Sequence, residues 1–114
     1  MGELAETVER AASGLGIAGR ESARERVYEA GGSPFATVSG RAAEFRVGAV
    51  VAAAARATPG AAASTRGGEW VRFEPAAVDR FARDRATAWF TLAWRAAVSG
   101  ARPYLENAGG SSAT

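Results

Sequence analysis

The side chains able to do chemistry in this chain are guanidinium and carboxylate groups and little else. All fourteen basic residues are arginine, twelve residues are acidic, and histidine, cysteine and lysine are absent. That set lacks the usual general base near neutral pH, the commonest metal ligand, the thiolate nucleophile and the Schiff-base amine. No cofactor is implied. A serine nucleophile would need an unusual base, and GxSxG, P-loop and HExxH patterns are missing. Asp79 with Arg83, and Arg80 with Asp84, stand four apart on a predicted helix and read as solvated ion pairs. GLGIAG over 14–19 matches GxGxxG in form only, because a helix precedes it where a dinucleotide fingerprint needs a strand. An enzyme relying on carboxylates or tyrosines alone therefore ranks last among the readings.

The most suggestive binding surface is one face of a predicted sheet. Alternation puts Arg46, Trp70 and Arg72 on it, with Arg41 in a hairpin turn and Arg66 in a glycine loop beside it. Rings interleaved with guanidinium groups stack bases and neutralise phosphates, so these five residues form a candidate nucleic-acid site. Glu44 and Glu74 on the same face offer the competing explanation, cross-strand ion pairing on a quiet solvent face. The net charge of +2 is mild. The arginine bias fits GC-rich coding, so arginine content by itself is no evidence for nucleic acid.

A second candidate site is aromatic. The stretch Glu69 to Val98 holds all three tryptophans and three of the five phenylalanines. Phe73, Trp89, Phe90 and Trp94 would line a pocket between sheet and terminal helix, suited to a small apolar ligand. Residues 89 and 94 lie about 140° apart on a helix, so one large ring falls outside the primary core and lines a pocket, seals a homodimer contact or caps the edge of the core.

The elements that must position these residues follow from periodicity and punctuation. An amphipathic helix starts at Glu3, with Leu4, Val8 and Leu15 on one side, and stops among the glycines at 14, 16 and 19. Ile17 to Ser22 reads as a loop or irregular edge segment, and Arg24 to Ala30 as a strand. Pro34 to Val47 is a β-hairpin around Ser39-Gly40, with Ala43, Phe45 and Val47 on one face and Glu44 and Arg46 on the other. Gly48 to Thr58 is a short alanine-rich helix and Thr58 to Gly68 a loop. Glu69 to Glu74 is a strand. After Pro75 a long helix runs to about Val98, with a core stripe of Val78, Phe81, Ala82, Arg85, Trp89, Leu92, Ala93 and Ala96, and Pro103 stops it. The whole is an α+β two-layer fold with an antiparallel sheet of about four strands. One domain covers 1–106 and a disordered tail 107–114. The acidic N-terminus, MGELAETVERAA, is unlike a signal peptide, and no apolar run reaches the roughly 20 residues that span a bilayer, so a cytoplasmic protein without membrane contact is expected.

The succession PFATVSGRAAEFRV, a small-residue helix, a Ser-Thr-Arg-Gly-Gly loop, EWVRFEP and a terminal AWFTLAWR helix resembles the small bacterial MmcQ/YjbR-like proteins and the related "luciferase family" domain, over roughly Val27 to Ala97. The resemblance implies an α+β domain with an N-terminal helix, a curved antiparallel sheet and a C-terminal helix. It also implies DNA binding by fold analogy. Such relatives tend to carry a lysine in the central hairpin, and Arg41 takes that place here. Two functions follow: a non-enzymatic binding domain for an anionic partner, nucleic acid among them, through the Arg/Trp face; or a small-molecule-binding or biosynthetic accessory protein with the aromatic pocket.

Overall fold

The computed structural model describes residues 2–109. Its elements are α1 (Glu3–Gly14), β1 (Arg20–Ser22), β2 (Glu25–Ala30), β3 (Ser33–Ser39), β4 (Ala42–Arg46), α2 (Ala49–Ala55), β5 (Ala61–Ala63), β6 (Trp70–Phe73) and α3 (Arg80–Gly109). The strands form one antiparallel sheet in the order β1-β2-β3-β4-β6-β5, and the buried faces of all three helices join one apolar core with it. This is the α+β fold the sequence predicts, with six strands in place of about four.

The two extra strands are the sheet's edges. β1 falls in the segment read as loop or irregular edge, and β5 in the segment read as loop. Neither Arg-Glu-Ser nor Ala-Ala-Ala alternates, so nothing local announces a strand; pairing with β2 and β6 supplies the backbone hydrogen bonds.

The first four strands are a meander of two-residue turns. Gly31 and Gly32 both have positive φ, as a type I′ turn requires, and Gly40 (φ 60°) opens the β3–β4 turn predicted at Ser39-Gly40. The β2–β3 register slips between Tyr28 and Glu29. Tyr28 pairs with Ala36 and Glu29 with Pro34, which leaves Phe35 as the extra residue of a bulge. The bulge puts Phe35 in the core beside Ala36, where strict alternation would send one of them to the opposite face.

α1 ends as the glycines foretell. Ile17 N–H bonds to the Ala12 carbonyl at 2.9 Å and Gly16 N–H to Ser13 at 3.0 Å, around Gly16 at φ 73°. That is a Schellman stop, and it accounts for the glycine motif without a ligand. Gly19 serves packing, since a Cβ there would lie 2.8 Å from the Tyr28 ring.

On α3 the rings of Trp89 and Phe90 diverge by about 100°, so each enters a different part of the core. Trp89 packs between Phe45 and Phe73, with centroids 6.2 and 5.2 Å away, and Phe90 between Tyr28 and Phe35 at 5.1 and 5.4 Å. The buried line is Ala82, Ala86, Trp89, Phe90 and Ala93. This corrects the predicted stripe: Phe81 is 82% exposed, and Arg85, Leu92 and Ala96 are also exposed. Alanines share the sheet-facing side with Trp89 and Phe90 because they let the helix sit close, so the stripe takes in Ala82 and Ala86 and leaves Phe81 and Leu92 outside.

The helix start also differs from the predicted ion pair. Asp79 is an N-cap whose Oδ1 accepts from Ala82 N–H at 2.9 Å, and Arg83 donates to the Val78 carbonyl. Arg80 and Asp84 are 4.0 Å apart, the outer limit of an ion pair. α3 passes Pro103 and ends at Gly109, where the sequence predicts a stop at the proline. A proline deletes one backbone bond and kinks a helix, and need not end it. Of the tail predicted over 107–114, residues 107–109 belong to this helix and 110–114 lie outside the described residues. Among the described residues, no helix is long and apolar enough to cross a membrane.

Candidate functional site

The sheet's outer face is organised by register. Arg20, Val27, Thr37, Glu44, Arg72 and Ala62 stand in one row across all six strands, and Arg46 faces Trp70 in the row beside it. The structure thus brings Arg46, Trp70 and Arg72 onto one face, as alternation predicts. Arg66 joins them because the β5–β6 connection, Ser64 to Glu69, folds back over the sheet.

Each of these arginines already has a carboxylate. Arg46 Nε is 2.9 Å from Glu69, Arg72 Nη2 is 3.2 Å from Glu74, and Arg66 bridges two glutamates, with Nε 2.8 Å from Glu44 and Nη2 2.7 Å from Glu25. The Arg66 guanidinium also lies 5.4 Å from the Trp70 ring centroid. Trp70 is 9% exposed, so the open stacking surface expected of it is covered by the arginine meant to work beside it.

Under this strap lie Glu44, 8% exposed, and Thr37, 2% exposed. Ser64 Oγ donates to Glu44 Oε2 at 2.6 Å and accepts from Arg66 N–H at 3.0 Å. Burial pushes the Glu44 carboxyl up, but the bonds from Ser64 and Arg66 outweigh it and hold it below the ordinary value of 4.5. Among the described residues, the Thr37 hydroxyl makes no side-chain hydrogen bond.

Sequence reasoning missed Glu25, Thr37 and Ser64. Glu25 is distant in sequence and Thr37 sits inside a strand, so only the loop itself, Ser-Thr-Arg-Gly-Gly, carried a local signal. A second cluster was missed altogether. Glu9 of α1 accepts from Tyr28 Oη at 2.7 Å and from Arg26 Nε at 2.9 Å, and Arg26 Nη1 reaches Glu21 at 2.7 Å. The Tyr28 bond, with help from Arg26, holds Glu9 low, whereas burial and the Glu9 contact push Tyr28 up to about 12. This cluster pins α1 to the sheet.

The aromatic pocket is filled by its own lining. Phe73, Trp89 and Phe90 are buried against the sheet and Trp94 is half-buried against the same core. A cavity of about 310 Å³ lies elsewhere, where the start of α1, the β3–β4 turn and the segment before α3 meet. Leu4, Pro75, Ala76, Ala77 and Val78 give it apolar walls, and Glu3 and Arg41 supply its charges. Of the five residues predicted for the nucleic-acid face, Arg41 is the one held apart from it, at the opposite end of β4 from Arg46. Among the described residues no carboxylate pairs with it. Gly2, the N-cap of α1, provides no side-chain cap and lines the same space. Among the described residues no group of three or more acidic side chains is placed to hold a metal ion.

Comparison of the chain with family models, curated proteins and solved structures finds no match.

Proposed function

We propose that this chain is a non-enzymatic binding domain for an anionic partner, engaged at the Arg41 cleft. The observation that carries the reading is the exposed Arg41, without a carboxylate partner among the described residues, at the rim of an apolar-walled cavity of about 310 Å³. That volume is at the lower end of small-molecule sites. The walls suit a ligand with a short apolar body, and Arg41 pairs with its phosphate or carboxylate. Glu3 and Glu6 in the first turn of α1 offset the partial positive charge of the helix start, so Arg41 is the attracting group. Nucleic acid on the sheet face belongs to the same proposal in a costlier form, since phosphates would have to displace Glu44, Glu69 and Glu74 from their arginines. The likeness to MmcQ/YjbR-like domains enters this proposal on the sequence pattern of Val27 to Ala97.

Thermal shift against a panel of small phosphorylated and carboxylated compounds tests the reading, with single- and double-stranded oligonucleotides as a separate arm. A ligand present at a hundred times its Kd stabilises by about 2.7 kcal/mol, which is readily visible. The stabilisation disappears in Arg41→Ala, whose melting without ligand matches wild type because Arg41 is exposed. No shift with any anion, or equal shifts in wild type and R41A, refutes the assignment. Oligonucleotide binding lost in R46A/R72A but kept in R41A moves the contact to the sheet face.

A further inference from the structure

On the outer face one guanidinium of the chain sits between two carboxylates beside an indole ring. Two glutamates from different strands, Glu25 of β2 and Glu44 of β4, hold one guanidinium at 2.7 and 2.8 Å, and the Trp70 ring lies 5.4 Å from it. Burying a carboxylate as deeply as Glu44 costs several kcal/mol unless a partner is in place, so the position makes sense only as half of a charge pair. Beside it in the register is Thr37, 2% exposed, with no side-chain hydrogen bond among the described residues. A ligand bringing more donors than Arg66 directs there would satisfy that hydroxyl. The Arg66 side chain keeps 31% of its surface exposed, so the site opens to solvent. Gly67, which follows Arg66, has φ 139°, a conformation that glycine alone adopts freely.

We propose that Glu25, Glu44 and Trp70 form a guanidinium-binding site that Arg66 occupies in cis and that an arginine side chain of a partner polypeptide occupies in exchange. The geometry selects guanidinium over ammonium. Arg66 uses Nε toward one carboxylate and Nη2 toward the other, a planar fork that a lysine ammonium does not reproduce. The site is separate from the Arg41 cleft and does not depend on the role proposed there. The tethered Arg66 competes at an effective concentration in the millimolar range or above, so partner binding to the intact chain is weak unless further contacts accompany the arginine.

Vacating the site is the test. Calorimetric titration of Arg66→Ala with N-acetylarginine amide is expected to show binding about tenfold tighter or more than to wild type, where the tethered Arg66 competes, and about tenfold tighter than N-acetyl-lysine amide, the factor that one charge-assisted hydrogen bond represents. R66A/E44Q loses the binding. Free L-arginine, whose α-ammonium and α-carboxylate are charges that a polypeptide arginine lacks and that must shed water near the site, binds more weakly than the blocked form; the reverse order overturns a polypeptide source. Equal affinity of R66A and R66A/E44Q, or no binding at millimolar ligand, overturns the site. Arg66→Met, which keeps the aliphatic stem over Trp70, replaces R66A if the alanine variant does not fold. In the wild-type chain, excess N-acetylarginine amide accelerates amide hydrogen exchange over 64–69 and N-acetyl-lysine amide does not; unchanged exchange overturns the displacement.

Discussion

Glu44 shows how far one residue's role exceeds its sequence signal. Alternation places it on the outer face, and from there it reads as a solvated carboxylate. The loop that closes over it brings Ser64 and Arg66, which turn it into a buried acceptor with a lowered pKa. A carboxyl held below 4.5 in the folded chain adds stability that is complete above that pH and is lost as pH falls toward the folded value. Wild type should therefore lose melting temperature as pH drops from about 5 to 3, and Glu44→Gln, already destabilised at pH 7, should lose less over the same interval. Equal slopes for the two proteins would contradict the paired carboxylate. Tyr28 behaves with the opposite sign, because its raised pKa of about 12 favours the protonated fold, so its contribution fades between about pH 10 and 12. Asp79 illustrates a role the sequence misassigned. As an N-cap its replacement by alanine should cost about 1 kcal/mol. Arg83→Ala, which removes the predicted ion-pair partner, should cost less than Asp79→Ala by chemical denaturation, and the reverse order would restore the ion pair.

At the level of the element, hairpins and helices were legible wherever turn chemistry or caps are local. Gly40 and Gly16 each do what their neighbourhoods imply. What was not legible came from contacts between elements. β1 and β5 exist through their neighbours, the core stripe of α3 is set by the closeness of the sheet, and Phe35 is core only because a bulge turns it inward. The bulge is testable in pairs. Phe35→Ala should cost about 3–5 kcal/mol, as large ring truncations in cores do. Phe81→Ser, which the predicted stripe makes equally damaging, should stay within about 0.5 kcal/mol because that ring faces solvent. Urea midpoints of the two variants decide between the stripe read from size and the one set by closeness. The candidate sites divide along the same line: the face shared by Arg46, Trp70 and Arg72 follows from period two, whereas the loop's return over it depends on where β5 pairs.

Across the whole molecule, α1 is joined to the rest by Leu4, Val8 and Ala12 in the core and by the Glu9, Arg26 and Tyr28 bonds. Glu9→Gln keeps the apolar contacts and weakens both bonds. It should lower the melting midpoint by a few degrees without changing the fold, and native circular dichroism with an unshifted midpoint would mean that apolar packing alone holds the helix. The sheet order carries one more consequence. β1 to β4 join through neighbours in sequence, but β6 enters between β4 and β5 only after α2 and the return loop have been made. Folding therefore has an early local half and a late distant one. Until β6 arrives, β4 is a bare edge able to pair with the wrong chain. Stopped-flow kinetics should give Val38→Ala a high φ-value and Val71→Ala a low one. A chain delayed at that step is exposed to strand exchange, so the 23 residues between β4 and β6 set how long each newly made molecule stays vulnerable to its neighbours.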